Sequence, residues 1–442
     1  MYFFLCLLFI CIVISAFFST KIALALYLVH KFLVPVYALY IGGFKISSNY
    51  LALLILIIFL YKNRKSLQKL EYKPILYYLG YFFICFGFSF FSWEQTACIS
   101  LIRSDCLSLV ILPFALVNFA KFHPSEFVFV RKTLFFSLLV MVVYGVFLIT
   151  MPGENPYALL LRTVVGGELS EEWLLEEGRI FGRISSTFFH PMMYACVLGF
   201  SIIYSIFLMK MSKKDKEKKI FAAFIILAIV SALTCGVRSV LLTLLMCFSY
   251  YCIVIRRIRL LAYFIVGLVI LVGISFFNDA FYNYLISPFI SESTINGSSQ
   301  EMRATQISKS FDEIKDCFFF GHGYGWTTWY IEKKGNHPYL LAFESLFIKV
   351  LCEGGLFGLI AFGSLFFKLF RTSSRYGFIT MTCRLLILLY LVYCTLTGDY
   401  LYSVYFIIFY CMVYSEKYVL NKKNEVVILK RKLIFDKKES FT

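Results

Sequence analysis

The chain has 442 residues; 60% are hydrophobic, 16% are charged, and the mean hydropathy is +0.79. Soluble domains carry roughly 45–50% apolar and about 25% charged residues, so no water-soluble fold accommodates this composition. The formal charge of +17 sits in short basic clusters between long apolar runs. That pattern excludes a nucleic-acid-binding domain as the main reading, as well as a secreted disulfide scaffold and a disordered chain. The composition predicts an all-α, polytopic integral membrane protein.

Taken in chain order, apolar runs long enough to cross a bilayer fall near 2–18, 23–41, 47–61, 75–93, 98–119, 133–151 and 191–209, then near 220–235, 239–255, 260–277, 343–367, 379–398 and 402–414. The runs are continuously apolar rather than alternating, so they read as helices and not as barrel strands. The stretch 23–41 holds His30, Lys31 and Pro35 and reads as a span or as an interfacial, re-entrant segment, giving thirteen spans or twelve. No basic region precedes residues 2–18 and no small-residue cleavage site follows, so that run is expected to be a retained span. The fourteen Cys lie almost all in apolar stretches, Cys317 being the main exception, with no Cys-x-x-Cys pair or metal-ligand spacing.

Orientation follows from Lys and Arg in short loops. Residues 62–73, the run KMSKKDKEKK at 210–219, Arg256-Arg257-Ile258-Arg259, Arg371 with Arg375, and the tail after Glu416 are all basic. Alternating spans put them on one side, which is the expected cytoplasmic face. The organisation expected is membrane helices over 1–151, an outer loop at 152–190, central helices over 191–277, a large outer loop at 278–340, C-terminal helices over 341–414 and a basic cytoplasmic tail at 415–442. The first outer loop is acidic, with Glu154, Glu168, Glu171, Glu172, Glu176 and Glu177. Such long connections usually carry function. In the second, Ser298-Ser299-Gln300-Glu301 fits a capping box that opens a helix with an apolar stripe of Met302, Ile307, Phe311 and Ile314. Trp326, Trp329 and Tyr330 read as aromatics at the membrane interface.

Four groups separated in sequence fall on the outer face: Arg183, Arg238, Arg303 and His337. An arginine in a tight turn between spans, as in Cys235-Gly236-Val237-Arg238-Ser239, is costly unless it meets an anion or water. Of the charges inside spans, Arg103 and Asp105 lie near the outer end of theirs and pair with each other or meet a substrate. Lys349 also sits near an outer end, Asp399 returns to the outer face, and Arg384 snorkels inward.

The order of these motifs resembles the O-antigen ligase and O-antigen polymerase family of bacterial envelope enzymes. The residues that carry the resemblance are Arg183-Ile184-Ser185-Ser186-Thr187-Phe188-Phe189-His190-Pro191, the Gly236–Ser239 turn, Arg303, Gly321-His322-Gly323-Tyr324-Gly325, His337-Pro338-Tyr339-Leu340, and Glu353-Gly354-Gly355-Leu356-Phe357-Gly358. They span about 180–367; the N-terminal third matches in hydropathy alone. The resemblance implies transfer of a glycan from a polyprenyl-diphosphate donor to an acceptor sugar hydroxyl, on the periplasmic face of the bacterial inner membrane. The acceptor is either a second lipid-linked repeat unit (a polymerase) or lipid A–core (a ligase), and the reading leans to the polymerase. It also implies His337 as the base, Arg183 and Arg238 on the diphosphate, and Arg303, His322 and Arg103 as further substrate contacts. The family often has Asn after the loop histidine where this chain has Pro338, so His322 stays open as the alternative base. No Asp-x-Asp pair occurs in the outer loops, so no metal and no cofactor are expected. Expected partners are the lipid-linked donor, the acceptor, membrane lipids, a chain-length regulator and a flippase, with no nucleic acid. A transporter or flippase of lipid-linked sugars is the alternative of another class.

Overall fold

The structure, a computed structural model, describes residues 2–34, 38–41, 44–89, 94–151, 155–157, 159–160, 184–275, 300–333, 343, 345–372, 376–399 and 401–439. Among these the chain is almost wholly helical. In order the helices are α1 Tyr2–Phe18, α2 Thr20–Leu33, α3 Asn49–Lys62, α4 Lys73–Ser89, α5 Gln95–Phe122, α6 Pro124–Ile149, α7 Pro191–Met211 and α8 Asp215–Thr234. They continue as α9 Arg238–Val254, α10 Ile258–Ser275, α11 Gln300–Ile314, α12 Trp326–Lys333, α13 Leu346–Arg371, α14 Gly377–Thr397 and α15 Tyr402–Glu439. Five of the described helices (α5, α6, α7, α13 and α14) combine the length and hydropathy needed to cross a membrane, and five shorter apolar segments accompany them.

Of the two readings open for 23–41, a continuous span is not the one observed. Helix α2 ends at Leu33, two residues before Pro35, whose ring and missing N–H cannot continue a helical ladder. An antiparallel hairpin follows instead, Ala38–Ile41 against Phe44–Ser47 with Ala38 opposite Ser47 and Ile41 opposite Phe44. The last helix runs far beyond the apolar segment that predicts it, through the charged tail to Glu439.

Burial explains the arrangement. Residues Val404–Ser415 of α15 are buried on every face, as are nearly all of Pro191–Leu208 in α7. A helix that is apolar all round belongs in the middle of a bundle. Helix α15 packs against α5, α14, α7 and α6, while α2 packs along α6. At the other extreme α10 touches little but α9 and exposes Ile258, Tyr263, Ile265 and Val266, as a lipid-facing helix does.

Polar contacts sort the two ends of the bundle. At one end the Lys62 ammonium donates to the carbonyls of Ala16 (3.1 Å) and Phe17 (2.6 Å), and Lys21 pairs with Glu126 at 3.7 Å. There too Tyr418 donates to Glu71 at 2.9 Å, and Arg131 meets the fully buried Glu416 at 3.1 Å. These residues come from or adjoin the loops expected on the cytoplasmic side, and they meet at a single, basic end. The described parts of the motifs singled out in the sequence gather at the opposite, loop-bearing end.

Candidate functional site

At the loop-bearing end, residues Ile184–His190 cross the bundle as a non-helical strap. A helix leaves its last carbonyls without intrahelical partners, and the strap region supplies them for α2. The Thr187 hydroxyl donates to the Phe32 carbonyl at 2.8 Å, and Tyr157 donates to that of Leu33. Ser186, at φ +50°, donates to the Met141 carbonyl at 2.6 Å. Asn155 donates to Ser185 (3.1 Å) and to the Ser186 carbonyl (2.7 Å), and its own carbonyl accepts from Tyr144 at 2.7 Å. His190 then caps α7, its Nδ1 accepting from the Met192 N–H at 3.2 Å, with Pro191 as first helical residue.

The strap docks on the turn between α8 and α9. Gly236 adopts φ +71° and Val237 is extended, so that Arg238 becomes the first residue of α9. The Ile184 N–H donates to the Cys235 carbonyl at 3.3 Å. The residue that follows Arg183 is therefore bonded to the residue three before Arg238. Arg238 is half-buried at a helix N-terminus, where a cation works against the helix dipole and an anion is favoured. The site thus attracts negative charge from two directions, backbone and guanidinium.

A third segment, Cys317–Gly325, enters a break in α13. Gly355 has φ +62° and ψ −161°, which splits that helix in two. The loop fills the break with four backbone hydrogen bonds: His322 N–H to Cys352 (2.9 Å), Gly323 N–H to Glu353 (2.9 Å), Leu356 N–H to Phe318 (2.9 Å) and Phe357 N–H to Phe319 (3.2 Å). Only glycine fits at the two crossing points. A Cβ on Gly355 would lie 2.3 Å from the Phe319 carbonyl carbon, and one on Gly321, at φ +68°, 2.5 Å from that of Glu353.

Beneath this loop lies a layer of charge and phenol that the sequence does not assemble. Tyr324 donates to Asp105 Oδ2 at 2.7 Å, and Thr327 donates to the buried Glu353. Lys349 donates to the Asp399 carbonyl at 3.2 Å, and Tyr390 to Asp399 Oδ2 at 2.9 Å. The other Asp399 oxygen caps α15, accepting from the Tyr402 N–H at 2.8 Å. Asp105 lies within electrostatic reach of Lys349, Asp399 and Glu353. It sits on the turn before a π-helical stretch in α5, Leu107–Ile111, an insertion that often marks functional positions. The cavity among Tyr81, Cys85, Tyr324 and Glu353 holds about 10 Å³, the room of one water molecule, so no sugar enters there.

The predicted residues fare differently. Arg183 and His337 lie outside the described residues, as do Pro338 and the remainder of 334–342. Arg303 stands in the first turn of α11 and Arg103 is exposed on α5. His322 is fixed by its neighbours: Nε2 is 2.9 Å from the Glu313 carbonyl, the ring stacks on Trp326 at 4.0 Å, and the Cys317 sulfur lies 3.1–3.2 Å from its nitrogens. Burial together with the carboxylates of Asp316 and Glu313 pushes the Cys317 thiol up from its ordinary value, which keeps the sulfur protonated. Trp326 and Tyr330, expected at the membrane interface, are instead buried with Ile314, Phe343, Leu351 and Cys352 in a small core of their own. Tyr330 donates to Glu313 at 2.7 Å. The sequence offers no periodic signal for this core, because its members come from four separate segments.

Residues 222–363 match the model of the family described as O-Antigen ligase. The match takes in Arg238, Arg303, His322, His337 and the break in α13, and leaves out Arg103 and Arg183. No curated protein matches the chain. The membrane helices and this domain together mark a bacterial membrane protein with glycosyltransferase-like activity of the ligase or polymerase type. Residues 222–363 thus carry a domain similar to the O-antigen ligase family, within a chain of 442 residues.

Proposed function

We propose that the protein is a repeat-unit polymerase of the inner membrane that transfers an oligosaccharide from a polyprenyl-diphosphate donor to a sugar hydroxyl at the periplasmic face. The observation that carries this reading is the meeting of the two arginine-bearing segments, through the Ile184–Cys235 hydrogen bond, at the N-terminus of α9. In the reaction the acceptor oxygen forms a bond to the anomeric carbon as the bond from that carbon to the diphosphate oxygen breaks. The electron pair of the broken bond leaves with the diphosphate, where Arg183 and Arg238 supply planar, permanently charged donors. His337 takes the hydroxyl proton, as the side chain titrating nearest neutral pH. Arg303, His322 and Arg103 contact or frame the substrate. No divalent metal enters this reading, because the two guanidiniums provide the positive charge a diphosphate leaving group requires. A ligase would use the same parts and hand the chain to lipid A–core.

A broken helix is also how transporters build ion and substrate sites, and α13 is broken at Gly355. Here the groups freed by the break are bonded to the Cys317–Gly325 backbone rather than left to line a path. That favours the enzyme.

Complementation of a deletion strain tests the reading. Arg238→Ala, at normal membrane level, is expected to lose about 2–4 kcal/mol of transition-state stabilisation, a 30- to 1,000-fold fall in rate that abolishes long glycan on a gel. Arg238→Lys restores it only in part, since a point charge does not reproduce the guanidinium fork. His337→Ala loses activity while donor binding persists, and His322→Ala is milder. Long glycan in the His337 variant with loss in the His322 variant moves the base to His322. Wild-type glycan in Arg238→Ala, His337→Ala and His322→Ala alike favours transport.

A further inference from the structure

Helix α11 packs against α13; its residues Gln306, Ser310 and Ile314 are buried, while Ile307 and Phe311 are exposed. Ile314 fills the small core with Trp326 and Tyr330, and the Ser310 hydroxyl is spent on the Gln306 main-chain carbonyl at 2.7 Å. Gln306 is different. It is only 4% exposed, yet among the described residues neither its amide nitrogen nor its amide oxygen has a hydrogen-bond partner. A primary amide brings two donors and an acceptor with two lone pairs. Burying all of them unmet is among the costlier choices a sequence can make, and leucine or methionine would cover the same face of α11 without that cost. Arg303 precedes it by one turn of the same helix.

We propose that Gln306 is a sugar-binding, specificity-determining residue whose amide is completed by hydroxyl groups of the glycan. The inference rests on the enzymatic reading above and extends it to the substrate's saccharide part. A side-chain amide offers a donor and an acceptor side by side, and neighbouring hydroxyls of a pyranose offer the complement. A site built to bond a hydroxyl discriminates strongly against a sugar that lacks it, because the protein group is then left buried and unpaired. Gln306 would therefore select among repeat units by which hydroxyl is present, with Arg238 indifferent to sugar identity.

The test uses the full-length protein in lipid nanodiscs, with the methyl glycosides of glucose, galactose, N-acetylglucosamine and N-acetylgalactosamine as probes in saturation-transfer NMR. At least one probe is expected to receive saturation from the wild type and to lose it with Gln306→Met. The Met variant should melt at or above the wild-type temperature, since an unmet amide has been removed. In cells it should lower long glycan at least tenfold at normal membrane level, and Gln306→Asn, which keeps the amide on a shorter stem, should fall between. Saturation unchanged in Gln306→Met, or no saturation of any probe by the wild type, overturns the inference; the amide is then met by water. Full glycan from Gln306→Met beside loss in Arg238→Ala overturns the inference alone. Full glycan from both overturns it together with the enzymatic reading.

Discussion

The strap Ile184–His190 and the loop Cys317–Gly325 lie at the same end of the bundle and carry neighbouring parts of one sequence signature, yet the balance of side-chain and main-chain bonds that holds them differs. The strap has one main-chain bond to another element, Ile184 to Cys235, and the loop has four. The strap is otherwise fixed by side chains, with Ser186, Thr187 and Asn155 reaching main-chain carbonyls of α6, of α2 and of the strap itself. The loop is fixed by main chain, with four N–H to C=O bonds across the break in α13 and glycine at both crossings. Side-chain anchoring spreads the load over several hydroxyls and amides, each worth a modest amount. Main-chain anchoring concentrates it at positions where a single methyl group is excluded. The loop should therefore be the more brittle of the two.

The largest effect is expected from Gly355→Ala. At φ +62° and ψ −161° Gly355 occupies backbone space essentially reserved for glycine, where another residue costs about 1–3 kcal/mol, and a core position with no room to yield brings the total above about 3 kcal/mol. The Ala side chain would have to displace the Phe319 backbone, and the loop would leave the break. Fluorescence-detected size exclusion should show loss of the monodisperse protein. A variant with the wild-type profile and glycan would mean that the docking of the loop contributes little.

Strap substitutions should cost less, one by one. Asn155→Leu strands the Ser186 carbonyl and the Tyr144 hydroxyl, for about 2–3 kcal/mol. Thr187→Val preserves shape and strands only the Phe32 carbonyl, for about 1–2 kcal/mol. Melting in detergent should rank Gly355→Ala, then Asn155→Leu, then Thr187→Val. Equal destabilisation by Gly355→Ala and Thr187→Val would erase the contrast between the two anchoring modes.

The same contrast explains what the sequence discloses. Membrane helices are legible because the bilayer demands long apolar runs, and twelve of the thirteen expected spans appear as helices near their predicted positions. The exception, 23–41, mixes apolar residues with Lys31 and Pro35. The structure shortens it to a helix in which Lys31 is buried and donates to Ser48 (3.2 Å) and Asn49 (3.1 Å). The signature residues are legible as motifs, but their assembly is not. Gly321 and Gly355 are both quoted in the sequence signature, and nothing in hydropathy says that one crosses the other. Asp105 and Lys349 read as charges in two separate spans and Asp399 as a charge just beyond a third, and only the packing of α5 and α13 against the turn between α14 and α15 brings them into one layer. Gln306 carries no sequence signal at all, since a glutamine on an amphipathic helix reads as solvent-facing. His337 and Arg183, the residues on which the chemistry depends most, are placed by sequence alone.

The smallest effect expected is at Cys317, at the start of the brittle loop. Its thiol is pushed up by burial and by the carboxylates of Asp316 and Glu313, while the His322 ring lies against the sulfur. A free thiol is half ionised near pH 8.5, and alkylation follows the thiolate. Iodoacetamide labelling of Cys317, read by mass spectrometry on that peptide with Cys317→Ser as control, should therefore be slow at pH 8 and keep climbing beyond the ordinary thiol range. Because the folded protein favours the neutral form, the associated stability is complete below the unfolded thiol's pKa and is lost as pH rises through the higher folded value. Gly355→Ala frees the loop and removes Cys352 and Glu353 from their register with it. Any of that variant that remains in the membrane should label at Cys317 like an ordinary exposed thiol. Thr187→Val, which disturbs only the strap, should leave the labelling profile unchanged. If the two variants shifted the Cys317 profile alike, strap and loop would form one cooperative unit, and the distinction between side-chain and main-chain anchoring would have no consequence for the site they frame.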